Sequence, residues 1–228
     1  MDKSQTGMPK REGTCNLCGG IFSKRTMTRH LKGCREKNSP KALDRLKPFH
    51  ERVFHLTVEG ADWPDYWMHL EARASTTLGR LDALLRETWL ECCHHLSAFT
   101  IGTEYYGFCP LAMPGELEED AQLDEVLRPQ MKFLHQYDFG TTTRLVLKVV
   151  SETERLIENA SIQILARNIA PEIPCGSCRK PATKVCCMCW DYTRWLCDEC
   201  APKHSCERDI FLPVVNSPRT GMCGYSGR

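Results

Sequence analysis

CGSCRKPATKVCCMCWDYTRWLCDECAPKHSC, residues 175–206, decides how the C-terminal part of the chain folds. Its spacing is Cys175-x2-Cys178-x7-Cys186-x2-Cys189-x7-Cys197-x2-Cys200-x3-His204-x-Cys206, eight sulfur and nitrogen donors in four close pairs. Two residues between cysteines let both sulfurs of a tight turn face one ion. Eight donors suit two closed tetrahedral zinc sites, and a closed site holds structure rather than substrate because no coordination position stays open. Cys187 offers an alternative ligand beside Cys186. Trp190, Tyr192 and Trp195 lie between the pairs and read as packing for a small metal-pinned core.

Outward from this stretch, the 15 cysteines of the 228-residue chain remain clustered: Cys15, Cys18 and Cys34 form a second group, and only Cys92, Cys93, Cys109 and Cys223 stand apart. The N-terminal residues are polar and basic and lack the apolar core of a secretory signal, and no apolar run of about 18 residues can span a membrane. These features place the protein in the cytoplasm, where thiols stay reduced and clustered cysteines point to metal instead of disulfides.

The N-terminal group reads Cys15-x2-Cys18-x11-His30-x3-Cys34. His30 and Cys34, four apart, share one helical face, and Phe22 and Met27 supply one aromatic and one aliphatic residue to close a minimal core. With the eight C-terminal donors, this set implies about three zinc ions per chain. Charge is uneven. Residues 1–48 hold 12 Lys/Arg against 4 Asp/Glu, whereas residues 49–170 hold 10 against 19. A basic arm of this kind expects an anionic partner, either nucleic acid or an acidic protein surface.

The organisation expected is an arm with a finger at 1–37, a linker at 38–48, a domain at 49–168, a two-zinc module at 171–209 and a tail at 210–228. Within the middle part, alternating apolar residues predict strands at 53–58, 66–71, 96–101, 131–137, 143–149 and 161–166. Leu78, Leu81, Leu85 and Trp89 recur at helical spacing behind Thr76 and Thr77, which can cap a helix start. The fold class expected is α+β: a mixed-sheet central domain with one main helix, flanked by two small zinc-binding modules.

Three resemblances add expectations. The first cysteine group resembles the classical ββα zinc finger, with Cys34 as fourth ligand and one residue fewer between the ligand pairs. Docking in that family's manner would bring Ser23, Thr26 and Arg29 to bases and set Lys24, Arg25, Lys32 and Arg35 against phosphates. The second group resembles cross-brace fingers of the B-box and treble-clef kind. That resemblance implies that Cys175, Cys178, Cys197 and Cys200 share one zinc, and that Cys186, Cys189, His204 and Cys206 share the other. Residues 50–150 resemble the Ri-plasmid ORF-three-like family of insertion-element passenger, or TnpR-type, proteins. The likeness is carried by Tyr66 and Trp67, by Thr77, Leu78 and Leu81, by His95-Leu96-x-x-Phe99, and by Tyr137-Asp138-Phe139-Gly140. It implies a mobile-element or plasmid context without a reaction.

The expected function is therefore a zinc-binding, DNA- or other nucleic-acid-binding, or protein-binding, factor. The alternatives are a metal-dependent nuclease or recombination accessory using Asp138, Glu104 and the acidic residues of 116–125, and a purely structural adaptor. The chain holds no Walker loop, G-x-S-x-G elbow or H-E-x-x-H helix. Cys92-Cys93-His94-His95 reads as buried thiols and a helix-terminal histidine, because consecutive residues on a helix point in different directions.

Overall fold

Period-two alternation of apolar residues gives strands wherever one face is to be buried, and the middle of this chain is dominated by that pattern. The computed structural model describes residues 11–38, 50–109, 120–156, 160–189, 191–206 and 210–227. Nine strands form one sheet: β1 (Glu12–Cys15), β2 (Ile21–Ser23), β3 (His50–Gly60), β4 (Trp67–Arg73), β5 (Ser97–Ile101), β6 (Glu104–Phe108), β7 (Lys132–Tyr137), β8 (Thr143–Leu156) and β9 (Ile162–Asn168). Their order is β2-β1-β9-β4-β3-β8-β7-β5-β6, and every neighbouring pair runs antiparallel. A three-stranded sheet, β11-β10-β12, is built from β10 (Lys184–Cys186), β11 (Trp195–Leu196) and β12 (Phe211–Pro213).

This corrects the expected mixed sheet with one main helix. Strand makes up 39% of the described residues and helix 20%. The 14-residue helix α1 (Lys24–Lys37) lies in the N-terminal segment, while the middle of the chain has the eight-residue α2 (Leu78–Leu85) and the single turn α3 (Leu123–Val126). Alternation reveals that a segment is a strand and says nothing about the direction of its neighbour, so β3 against β8 and β4 against β9 were not readable from pattern. The finger is not a free-standing flank either. Its strand β1 pairs with β9, so the β1–β2 hairpin extends the sheet. Gly13 permits this approach: a Cβ there would meet the Arg167 carbonyl oxygen at 2.5 Å and the Trp67 ring at 2.5 Å.

Thr77 caps α2, its side-chain oxygen accepting from the Arg80 N–H at 3.3 Å. The helix then widens into one π turn, Arg86–Leu90. Leu78, Leu81, Leu85 and Trp89 are fully buried against the sheet face that carries Phe54, Leu56, Leu70 and Leu147. Each such side chain contributes roughly 2 kcal/mol on leaving water. Buried among them, Asp82 accepts from Arg86 at 2.6 Å, Ser97 at 2.7 Å and His135 at 2.7 Å, tying α2 to β5 and β7. Burial alone would raise the Asp82 carboxyl, but the His135, Ser97 and Arg86 donors more than offset it and leave it below the ordinary carboxylate range. Arg86 also reaches Glu91 at 2.9 Å and the His95 carbonyl oxygen at 2.6 Å, which fixes the turn after the helix. The expected linker at 38–48 falls almost wholly outside the described residues, as do 116–119 of the acidic loop.

Candidate metal centres

A tetrahedral zinc with Zn–S of about 2.3 Å and Zn–N of about 2.0 Å sets S···S edges near about 3.8 Å and S···N edges near about 3.5 Å. The donor sets of this chain can be held against that figure.

In the first set, β1 delivers Cys15 and a tight turn returns Cys18. The turn closes through Cys15 N–H to Gly20 O at 2.9 Å and Gly19 N–H to Cys15 O at 2.8 Å, with Gly19 at φ +72°. Helix α1, capped by Ser23, then presents His30 and Cys34 one turn apart. Cys15 Sγ lies 3.8 Å from Cys34 Sγ, and Cys18 Sγ 3.4 Å from His30 Nε2. The N–H of Gly20 holds the Cys18 thiol below its ordinary value. Phe22 stacks on the His30 ring at 3.7 Å, and Met27 is fully buried with Leu31 against Trp67, Leu165 and Ala166. The finger's small core is thus shared with the sheet.

Near the C-terminus, Cys175, Cys178, Cys197 and Cys200 gather as one set, and Cys186, Cys189, His204 and Cys206 as another. Cys178 and Cys197 sulfurs are 3.5 Å apart, Cys186 and Cys206 are 3.9 Å apart, and Cys189 Sγ is 3.4 Å from His204 Nε2. Burial raises the Cys175 thiol, but N–H groups of Cys178, Cys197 and Ser177 outweigh it and bring it down to about 6; Cys186 falls to about 7 by the same opposition, with the N–H groups of Met188 and Cys189 the chief donors. Backbone donors aimed at sulfur favour the thiolate, the form that binds metal. Cys187 lies outside the set. It follows Cys186 at the end of β10, where consecutive side chains point to opposite faces. Trp195 is half-buried and meets Trp63 edge to face at 6.3 Å, but Tyr192 is 71% exposed and packs no core; Trp190 lies outside the described residues.

A fourth set escaped the sequence reading. Cys92, Cys93, His95 and Cys223 bring their donor atoms within 4.8 Å of one another, as the other three sets do. The objection that adjacent residues on a helix diverge fails because the helical turns end at Leu90. Glu91 is extended, and His94, at φ +57°, reverses the chain. Cys93 is exposed rather than buried, and His94 points to solvent. The fourth donor comes from 128 residues away, His95 Nε2 to Cys223 Sγ at 3.2 Å, a juxtaposition no local spacing announces.

The expected nucleic-acid residues divide. Ser23 and Thr26 are bonded to each other at 2.9 Å as the α1 cap. Lys24 is tied to Glu59 and, at 2.9 Å, to the Pro64 carbonyl oxygen. Arg35 is buried and ion-paired with Glu71, which corrects its assignment to phosphate. Arg25, Arg29 and Lys32 are exposed, and at spacings of four and three they share one face of α1.

Nor do the described carboxylates proposed for catalysis gather. Asp138, at φ +64°, accepts from the Gly140 and Thr141 N–H groups at 3.0 and 3.2 Å and pairs with Arg219 at 2.7 Å. Asp120 accepts from the Gly79 N–H, Asp124 pairs with Arg52, Glu125 caps α3, and Glu104 sits exposed at the β5–β6 hairpin. Ser97, Asp82 and His135 are buried together, but Ser97 and His135 both bond to the aspartate, so no base faces the hydroxyl.

Among the described residues, no helix is long and apolar enough to cross a membrane. No family model matches the chain, and no curated protein matches it. Among solved structures it is similar to a protein of unknown function from Methanosarcina mazei, 16% identical, over 54% of this chain and 71% of that one, with a TM-score of 0.42.

Proposed function

We propose that this chain is a zinc-pinned protein that binds nucleic acid through the exposed face of α1, with Arg25, Arg29 and Lys32 as its phosphate contacts. The observation that carries the reading is this: of the basic residues on that helix, Lys24 and Arg35 are tied into the fold and Lys37 is its last residue, while these three point outward along one line without an ion-pair partner among the described residues. Thiolate and imidazole donors suit zinc, and all 15 cysteines are free, which fits a reducing cytoplasm. Each of the three donor sets expected from the sequence supplies four protein ligands, so the metal's part is to hold the binding face in shape. The mobile-element context belongs to the same proposal and rests on the motif resemblance over residues 50–150.

The test is filter binding to duplex and single-stranded DNA and to RNA across a salt series. Each phosphate contact contributes about −0.9 to the slope of log K against log salt on duplex DNA. Replacing Arg25, Arg29 and Lys32 by Ala should flatten that slope by about 3 units. Absence of binding at low salt, or an unchanged slope in the triple variant, sinks the reading and leaves a protein partner as the occupant of this face.

A further inference from the structure

We propose that Cys92, Cys93, His95 and Cys223 form a fourth zinc site, and that this site clasps the C-terminal module onto the sheet. It stands independently of the nucleic-acid reading. The donor chemistry is three thiolates and one imidazole, the same set as Cys15, Cys18, His30 and Cys34.

Both sides of the site are prepared by contacts that do not involve the donor sulfur and nitrogen atoms themselves. On the sheet side, Glu91 accepts from the His94 N–H at 2.6 Å and from the Tyr137 hydroxyl at 3.1 Å, and Arg86 holds the His95 carbonyl oxygen. On the tail side, Ser217 donates to the Trp89 carbonyl oxygen at 2.6 Å, and the backbone turns through positive φ at Gly221, Cys223 and Gly224. Such a conformation is unfavourable for a residue with a Cβ, and at Cys223 it directs the sulfur to His95.

Arg219 supplies the second observation. Its side chain is fully buried, and besides Asp138, Thr143 and the Thr141 carbonyl oxygen its acceptor is the Cys92 sulfur, at 3.4 Å from Nε and 3.3 Å from Nη2. A buried guanidinium needs strong acceptors, and a neutral thiol is a weak one. A metal-bound thiolate is a strong acceptor, and a Cys₃His zinc centre carries a net charge of about −1, which Arg219 offsets in part while also pairing with Asp138. Asp138 Oδ2 stands 3.7 Å from His95 Nε2, completing the charged surroundings.

The consequence lies in what residues 214–227 connect. Val214 donates to the Thr183 carbonyl oxygen and Arg194 to that of Gly221, both bonds to the C-terminal module. Asn216 exchanges bonds with Asn168, and Arg167 donates to the Asn216 carbonyl oxygen, bonds to the sheet. Closing the fourth site at Cys223 therefore fixes the segment that joins the two bodies. Cys93 and Cys223 are exposed, so this ion is the one a chelator reaches first.

Zinc analysis of the full chain should return about four ions, one for each donor set, and Co²⁺ substitution should develop thiolate charge-transfer absorption up to about four equivalents. Cys223→Ser and Cys93→Ser should each lose about one ion, abolish the fastest phase of chelator-induced release, and speed amide exchange across 214–227 while β3 and β8 stay protected. His94→Ala should keep the full count. A wild-type count and cobalt endpoint of about three overturns the proposal whatever the variants do. Alkylation of denatured, reductant-free protein that finds 13 thiols instead of 15, with Cys93 joined to Cys223, overturns it in favour of a disulfide.

Discussion

The nine-stranded sheet and the C-terminal module are held by different forces. Among the described residues, the sheet's core cluster gathers 23 buried hydrophobic residues, including Trp89, Phe54 and Phe99, whereas the module's gathers four, two of which are the ligand cysteines Cys175 and Cys197. At roughly 2 kcal/mol per large buried side chain, apolar burial stabilises the sheet far more than it stabilises the module. About 10 kcal/mol from each closed zinc site is the scale that closes this gap. The N-terminal finger is intermediate: it has its own donor set, yet its Met27 and Leu31 pack on Trp67 and Leu165 of the sheet.

Metal removal is the sharpest way to break this comparison and carries the largest expected effect. Under a strong chelator, amides of β10, β11 and β12 should lose all protection while β3 and β8 keep theirs, and α1 should retain part of its protection through its contacts with the sheet. Hydrogen exchange read by mass spectrometry resolves the three regions. Persistent protection of the β10–β12 sheet without metal would show that apolar burial suffices there.

That contrast also explains what could be read in the sequence. Ligand pairs such as Cys175 and Cys178 are local, so spacing shows the N-terminal set and the four C-terminal pairs, while the sharing of those pairs between two ions is what the cross-brace resemblance implies. Strands β3, β4, β5, β7, β8 and β9 announce themselves by alternation. Strand β6 was missed because Glu104–Phe108 is largely solvent-facing and lacks a clean apolar face. The pairing of β1 with β9, the buried position of Arg35 and the meeting of Cys223 with His95 all depend on segments more than 30 residues apart. No periodicity records such contacts. Asp138 entered only the alternative nuclease reading; its Asp-Phe-Gly context is a strand-to-turn signal, and its partner Arg219 lies 81 residues away.

A smaller effect sharpens the boundary between finger and sheet. Arg35 pairs with Glu71 with both side chains nearly buried, and Arg155 stands 3.7 Å from the same carboxylate. Arg35→Ala leaves Glu71 with one remote cation and should cost about 3 kcal/mol, read as a lowered denaturation midpoint and weakened protection of α1. Were Arg35 a phosphate contact instead, stability would hold and the salt dependence of nucleic-acid binding would fall. The two outcomes are distinguishable in one variant.

The smallest effect tests the sheet without its metal. His55 of β3 and His69 of β4 are buried, with His55 Nε2 2.9 Å from His69 Nδ1, beside register shifts in both strands. Burial, the His69 ring and Arg35 push His55 down to about 3, and burial with Lys24 pushes His69 down to about 4. Below pH 6.5 the unfolded chain takes up protons at both histidines while the folded sheet does not, so stability falls as pH falls from 6.5 towards 4. Between pH 7 and 5.5 the loss should be about 1 kcal/mol for each histidine. Replacing both by Leu removes donor and acceptor together, a change that need not destabilise at neutral pH, and should flatten the profile in that window. Thiolate protonation and zinc loss act on both proteins alike and cancel in the difference. Parallel profiles for wild type and double variant would mean that the pair takes up its proton without leaving the fold, and that the sheet tolerates a charge where its burial argues against one.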